Sequence, residues 1–558
     1  MKSSNSHVSG APTFRSPSRT TRLVLLGAIL LFAFAMRFWH IAEVPAGIYP
    51  DEAQNGYDAY LAQHTGVYQW FYPDNNGREG LYINLIALSF KLFGVHVWSF
   101  KLPGVLIGTL TVLGVYLLAR EVFWRWRSGV YLALISALLV AGSFWHVMFS
   151  RIGFRAILLP FVLTFAFWLM LRGLRRLKSS KSALWTFAFS GAVFGLGLHT
   201  YIAFRIAPAA LIVLFVALLV ARRFRFRALW RPALAFLAGA LITAAPMLWT
   251  FSTHPEYVSS RSNSVSIFAP ENNGGDLLGT LGKTLTLSLG MFNFYGDQNW
   301  RHGYPPYATL EPVTGIFFLI GLFTSIIITV RFFGTLAWHT LQWLARVPQH
   351  MLRTTRPTWP SVHLFLLAWF VLMLAPEFLT NEGLPHALRA IGVLPVVYLF
   401  AAMGIGVLWR TFEHHHLLFR EFFVPLLGVL LLYIATFGII KYHVFWAQRP
   451  EAAGAFNKNL TDIAHAAQAA PADTEKVVLA GPLERLPVKL LTTQVPHMTF
   501  LYEHEISTYA PTQKDIIVYM TDCPARITQA FRARLGTVRV IEHSAPLGSH
   551  YCTLTPAH

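Results

Sequence analysis

The stretch RLVLLGAILLFAFAMRFWHI, Arg22–Ile41, runs into AEVPAGIYPDEAQNGY, residues 42–57, and this junction decides how the chain is read. The first part is long enough to cross a bilayer as a helix, with charge only at Arg22 and Arg37. No small-residue cleavage site follows, so it reads as a retained anchor rather than a signal peptide. The second part sets two adjacent carboxylates, Asp51 and Glu52, a few ångströms beyond a membrane face. An acid pair at the lip of an otherwise apolar and basic body suggests a place where something is deprotonated beside a bound anion.

The rest of the composition agrees with that start. Of 558 residues 54% are hydrophobic and only 13% charged, whereas a soluble domain carries roughly 25% charged residues. The expected fold is therefore mainly α, a polytopic membrane helical bundle. Further spans are predicted near 97–122, 130–147, 157–171, 184–200, 206–220, 234–251, 313–330, 363–379, 391–408 and 422–440, about eleven in all with the first. The apolar segment Gly80–Gly94 is too short to span and contains Lys91, so it reads as an interfacial helix of the first outer loop.

The net charge of +19 is of the kind that gathers in cytoplasmic loops beside anionic lipid, which favours membrane lipids over nucleic acid as partners. The loop charges test the span count. Arg120/Arg125/Arg127, Arg172/Arg175/Arg176/Lys178/Lys181, Arg222/Arg223/Arg225/Arg227/Arg231 and Arg331/Arg346/Arg353/Arg356 all fall on one side. Asp51, Glu52, Asp58, Asp74, Glu79, Glu256, Glu271, Asp276, Asp297 and Glu311 fall on the other. The bias places the N-terminus inside and the C-terminus outside, in a multi-pass plasma-membrane protein. Counting Gly80–Gly94 as a span would turn every Arg-rich loop outward.

Three regions follow: a Ser-rich, basic tail over 1–21 expected to be a disordered cytoplasmic extension, a membrane domain over 22–440, and a small extracytoplasmic α/β domain over 441–558. In the last, a helical stretch at 450–470 precedes strand-like runs at 476–480, 515–520 and 537–542, with 527–535 helical. Cys523 and Cys552 both lie there, and their pairing is left open.

Among residues that could carry chemistry, Asp51 and Glu52 are the catalytic candidates. The plain structural reading is that Pro50-Asp51-Glu52 opens a helix whose dipole favours carboxylates. The functional reading makes one of them a general base for a hydroxyl nucleophile. The basic residues that defy the charge bias come next: Arg151, Arg155, Arg205 and Arg389, with His199, Tyr201 and His386 beside them. A single one would ordinarily be an arginine snorkelling to headgroups. Four at one membrane level suggest paired hydrogen bonds to a lipid-linked phosphate. Arg151 and Arg155 are four apart and would share a face if helical. Arg78 and Glu79 are either an exposed ion pair or an acidic wall of the same pocket. No Cys/His metal spacing appears.

Several of these stretches together resemble a known family. They are Asp51-Glu52, the helix Leu81–Gly94, Lys101-Leu102-Pro103, Ser150–Arg155 and Pro385-His386-Ala387-Leu388-Arg389-Ala390. The pattern resembles the C-type polytopic membrane glycosyltransferases, near the protein mannosyltransferase and aminoarabinose transferase branch, over most of residues 22–440. The resemblance implies a polyprenyl-phosphate sugar as donor and transfer on the outer face to a glycan, lipid or protein acceptor. It implies a catalytic acid at Asp51 with Glu52 adjacent. It places Glu79 where relatives carry an acidic residue before a Lys-Pro-Pro turn; here the turn reads Arg78-Glu79-Gly80-Leu81. It names no cofactor and leaves room for a divalent metal. The rival expectations are a transporter or flippase of lipid-linked sugars and an inactive scaffold that kept the fold.

Overall fold

A computed structural model describes residues 17–177, 183–220, 226–259, 265–344, 360–415 and 418–557. Most of the tail expected to be disordered lies outside these residues, as do Lys178, Lys181, Arg222, Arg223, Arg225, Arg346, Arg353 and Arg356 of the basic loops.

The chain is a multi-pass membrane protein with a small C-terminal sheet. Helix α1 is Arg19–Phe38, α2 Pro50–Thr65, α3 Gly80–Phe93, α4 Val97–Val122, α5 Gly129–Gly142, α6 Phe144–Ser150, α7 Leu158–Arg176, α8 Ala183–Gly195, α9 Ala207–Val220 and α10 Phe226–Thr253. Later membrane helices cover Pro312–Leu344, Pro360–Phe378, Leu394–Phe412 and Val424–Ile439. Among the described residues nine helices are long and apolar enough to cross a bilayer, and a tenth crossing is made if α5 and α6, bent by 60° at Ser143, count as one. The eleventh expected span, 184–200, is a shorter apolar helix that continues to His199 as a 3-10 turn. The bend has a local cause: the Ser143 hydroxyl accepts the His146 N–H and starts a new helix.

Between α2 and α3 the chain makes a short hairpin, β1 Phe71–Tyr72 against β2 Arg78–Glu79. Its turn, Asp74-Asn75-Asn76-Gly77, takes three consecutive left-handed residues, with φ of 51°, 62° and 78°. Asn and Gly tolerate that conformation best.

The C-terminal region holds β3 Glu475–Leu479, β4 Met498–Leu501, β5 Ile516–Met520, β6 Val538–Ala545 and β7 Ser549–Pro556 in the order β4-β3-β5-β7-β6. β3 pairs parallel with β4 and β5, while β7 runs antiparallel to β5 and β6. Cys523 and Cys552 form a disulfide. This sheet domain rests on the loop after α1: the Ile48 N–H reaches Thr461 Oγ1 at 3.3 Å, and Gly56 in α2 lies against the Leu490 side chain.

Candidate functional site

Helix α2 begins with Pro50 at its first position, and Asp51 and Glu52 fall in the first turn, where the exposed N–H groups favour anions. Consecutive helical residues point about 100° apart, so the two acids part company. Glu52 turns inward and is fully buried. Its Oε1 accepts the Gly153 N–H at 2.7 Å, and the Lys101 ammonium, also fully buried, faces it. Burial pushes the Glu52 carboxyl up to about 7, against the pull of Lys101 and of the Gly153 and Tyr49 N–H groups. Asp51 stays half-buried and accepts from Asn75 Nδ2 at 2.9 Å, tying it to the hairpin turn.

Asn76 and Gly77 of that turn line a cleft. Its walls are Asn76, Gly77 and Glu79 from the hairpin, Phe154 and Arg155, Tyr201 and Arg205, Tyr257, and Leu388. Arg155 Nε donates to Glu79 Oε2 at 2.6 Å, both side chains about 5% exposed. The Arg155 guanidinium lies 5.8 Å from the Tyr201 ring. Arg205 donates to the Val258 carbonyl and covers the Phe251 ring at 5.1 Å. The enclosed space is about 30 Å³, room for a water-sized group, so a sugar phosphate enters only if rim side chains move. Tyr49 joins the two halves: its buried phenol is pushed up first by burial, then by Glu52 and Asp51, and is drawn down by Arg301 and Arg155.

Not all expected members meet there. Arg151 is fully buried and donates to the carbonyls of Met36, Trp39, His40 and Val44, at 2.7–3.2 Å. It caps the end of α1 and does not line the cleft. The expectation of a shared face with Arg155 fails because α6 ends at Ser150 and Arg155 opens a separate 3-10 turn. Arg78 is also interior, with NH2 on Asp58 at 2.5 Å and NH1 on Asn55 at 2.9 Å. It is a buried brace between α2 and the hairpin, not an exposed pair. Arg389 spends its guanidinium on Thr380 and Glu382. His199 bonds the Thr243 carbonyl at 2.9 Å and meets Trp70 edge-on. His386 stands against Asp297 and His302. Glu79, Arg155, Tyr201 and Arg205 are thus brought together, with Asp51 one hydrogen bond from the same turn. Sequence reading missed the Asn75–Asn76 turn, whose Asn-Asn-Gly composition was a turn signal, and Arg301, which lies 4.9 Å from the Tyr49 ring.

The profile of the dolichyl-phosphate-mannose-protein mannosyltransferase family matches residues 81–249, the segment that carries α3, Arg155, Tyr201 and Arg205. Over that segment the chain is similar to this family, in line with the expected resemblance to the C-type membrane glycosyltransferases. Bacillus subtilis (strain 168) YycA, whose name assigns it only provisionally as a mannosyltransferase, is 28% identical over 295 residues, 49% of this chain and 39% of that protein. YkcB of the same organism, similarly named, is 28% identical over 268 residues, 44% of this chain and 34% of that one. The matched part thus spans little more than a third of these relatives. ArnT from Cupriavidus metallidurans superposes in its apo state with a TM-score of 0.56 and bound to undecaprenyl phosphate with 0.54, covering 96% of this chain and 98% of ArnT. At 13% identity that likeness shows a shared fold, helical body and C-terminal domain included.

Proposed function

We propose that this chain transfers a sugar from a polyprenyl-phosphate carrier to an acceptor hydroxyl at the extracytoplasmic membrane face. The observation that carries the reading is the shared hairpin turn: Asn75 holds Asp51, while Asn76 and Gly77 line the cleft of Arg155, Arg205 and Glu79. Asp51, in the half-exposed position, takes the acceptor proton as the oxygen attacks the anomeric carbon. The carbon–phosphate oxygen bond breaks, and the lipid phosphate leaves with the electron pair. Arg205, the more open of the two cleft arginines, meets the departing charge. Arg155 is held by Glu79 as a fixed wall. Glu52, sealed behind Gly153, has no route to an acceptor and supports the loop instead. That the family profile carries a lipid-phosphate mannose name, and that ArnT was solved with undecaprenyl phosphate, supports the donor class.

The test is the full-length protein in lipid nanodiscs with a panel of polyprenyl-phosphate sugars and mass detection of released polyprenyl phosphate. Release with at least one donor, dependent on an added acceptor, is expected. No release from any donor by folded protein would overturn the reading.

A further inference from the structure

A groove opens where three membrane helices meet, at the other end of α1 from the cleft. It runs along α1 from Leu25 to Phe32, along α5 from Tyr131 to Leu138, and along the helix Val424–Ile439 from Val424 to Leu431, with Trp409 at one end. Each run covers about 10 Å at 1.5 Å per residue, roughly a third of a hydrocarbon core near 30 Å. The groove therefore belongs to one leaflet. That leaflet is the one away from the cleft, because α1 leads from Leu25 up to the loop bearing Asp51. Its volume is about 460 Å³, within the roughly 300–1,000 Å³ of small-ligand sites. We propose that the groove holds one acyl chain of an anionic glycerophospholipid, whose headgroup meets the arginines at its mouth.

The lining is aliphatic and aromatic throughout, which alone would suit any hydrocarbon. A void in such a wall forfeits dispersion contacts, so a chain gains by filling it. The charge at the mouth selects among the candidates. Arg22 precedes Leu25 by three residues and Ile29 by seven, which sets it on the groove face of α1. Arg420 precedes Val424 by four and Leu427 by seven. Arg410 follows Trp409 and lies over the Trp126 ring at 3.6 Å. With Arg19, these helix ends carry four arginines against two acids, Glu413 and Glu421. The Arg420–Glu421 contact is exposed and 3.7 Å long, and such a pair holds a guanidinium weakly. Tyr131 and Trp409 stack at 5.6 Å beside this end, the ring types that mark a headgroup level. Phosphate oxygens accept paired hydrogen bonds from guanidinium groups.

A second copy of this chain is the rival occupant. Pairing through this seam about a two-fold axis would set the same arginines against one another, and like charges oppose that. Gly428 supplies the means of deciding. Nothing lies within 4 Å of a Cβ added there, so a larger side chain enters the groove without striking the protein. The inference stands whether or not the transferase reading holds.

The experiment delipidates the full chain in detergent and titrates it with phosphatidylglycerol or phosphatidylcholine of identical acyl chains, read by native mass spectrometry. The first phosphatidylglycerol should bind about tenfold more tightly than the first phosphatidylcholine, as expected for arginines beside an anionic headgroup. Gly428→Trp should weaken that tight adduct by about the same factor while keeping wild-type size-exclusion behaviour. The double variant Arg22→Gln, Arg420→Gln leaves the groove intact and should bring phosphatidylglycerol down to the phosphatidylcholine affinity. Equal binding of the two lipids by wild type, or a preference that survives either variant, would overturn the assignment. So would a wild-type dimer that Gly428→Trp converts to monomer, which gives the groove to a second copy. Displacement of the tight phosphatidylglycerol by an equimolar polyprenyl phosphate would overturn it too.

Discussion

At the scale of single residues, the two neighbouring acids make opposite predictions. Asp51→Asn removes the base but keeps an acceptor for the Asn75 amide, so folding should be preserved. Release of polyprenyl phosphate should fall by about 10²–10⁴, and turnover near the wild-type rate would remove Asp51 from the reaction. Glu52 should show itself in stability. Its carboxyl is raised from the ordinary 4.5 to about 7, so the folded state holds this proton more tightly than the unfolded chain does. The contribution is fully present below the unfolded value and is lost as pH rises through about 7. Glu52→Gln should flatten that part of the stability–pH curve in nanodisc unfolding experiments. An unchanged slope between pH 4.5 and 7 in the variant would rule out Glu52 as its source. The sequence showed that an acid pair sits here, but not which acid faces inward, because that depends on where Gly153 and Lys101 arrive from distant parts of the chain.

At the scale of elements, the site depends on how tightly α2, α4 and the turn after α6 pack. A Cβ on Gly153 would fall 2.0 Å from Phe100 Cζ, and Phe100 is a core residue of α4. Gly153→Ala should therefore destabilise by about 1–3 kcal/mol through overpacking and disturb the N–H that holds Glu52. Adding Phe100→Leu should recover part of the loss. A Gly153→Ala protein as stable as wild type would mean that the turn yields freely. The helices themselves were legible, since runs of apolar residues near twenty leave few alternatives. The helix over 80–93 was legible too, as an apolar run shorter than the spans. The shared face for Arg151 and Arg155 rested on a continuous helix, and that condition is not met. A helix break at Ser150 is set by tertiary contacts, with Arg151 drawn to the bare carbonyls at the end of α1. In the C-terminal domain β3, β5 and β6 were visible as apolar runs. β4 is only four residues and half-exposed, and β7 carries the sequence Ser549-His550-Tyr551-Cys552-Thr553-Leu554-Thr555-Pro556, so neither stood out.

At the scale of the whole molecule, the contacts argue for how many times the chain crosses. The loop after α1 touches Gly153 and Arg155 after α6, Arg205 and Tyr257 through its cleft, and Thr461 in the C-terminal domain. All of these must share one side of the membrane. Since α4 leaves that side, the bent pair α5–α6 must return to it. Since α7 leaves it again, the short helix Ala183–His199 must also return. If both marginal segments cross, the chain makes the eleven passages expected from the charge bias, with its ends on opposite faces, and the prediction is tested by labelling. Both native cysteines are consumed in the disulfide, so single introduced cysteines report cleanly. Ser507→Cys, on the exposed surface of the C-terminal domain, should react with a membrane-impermeant maleimide in intact cells. Arg127→Cys, exposed between α4 and α5, should react only after permeabilisation. The reverse pattern would place the cleft on the cytoplasmic face and exclude transfer at the outer leaflet. Labelling of both positions in intact cells would break the count itself, because a single crossing separates α4's far end from the loop on which the C-terminal domain rests.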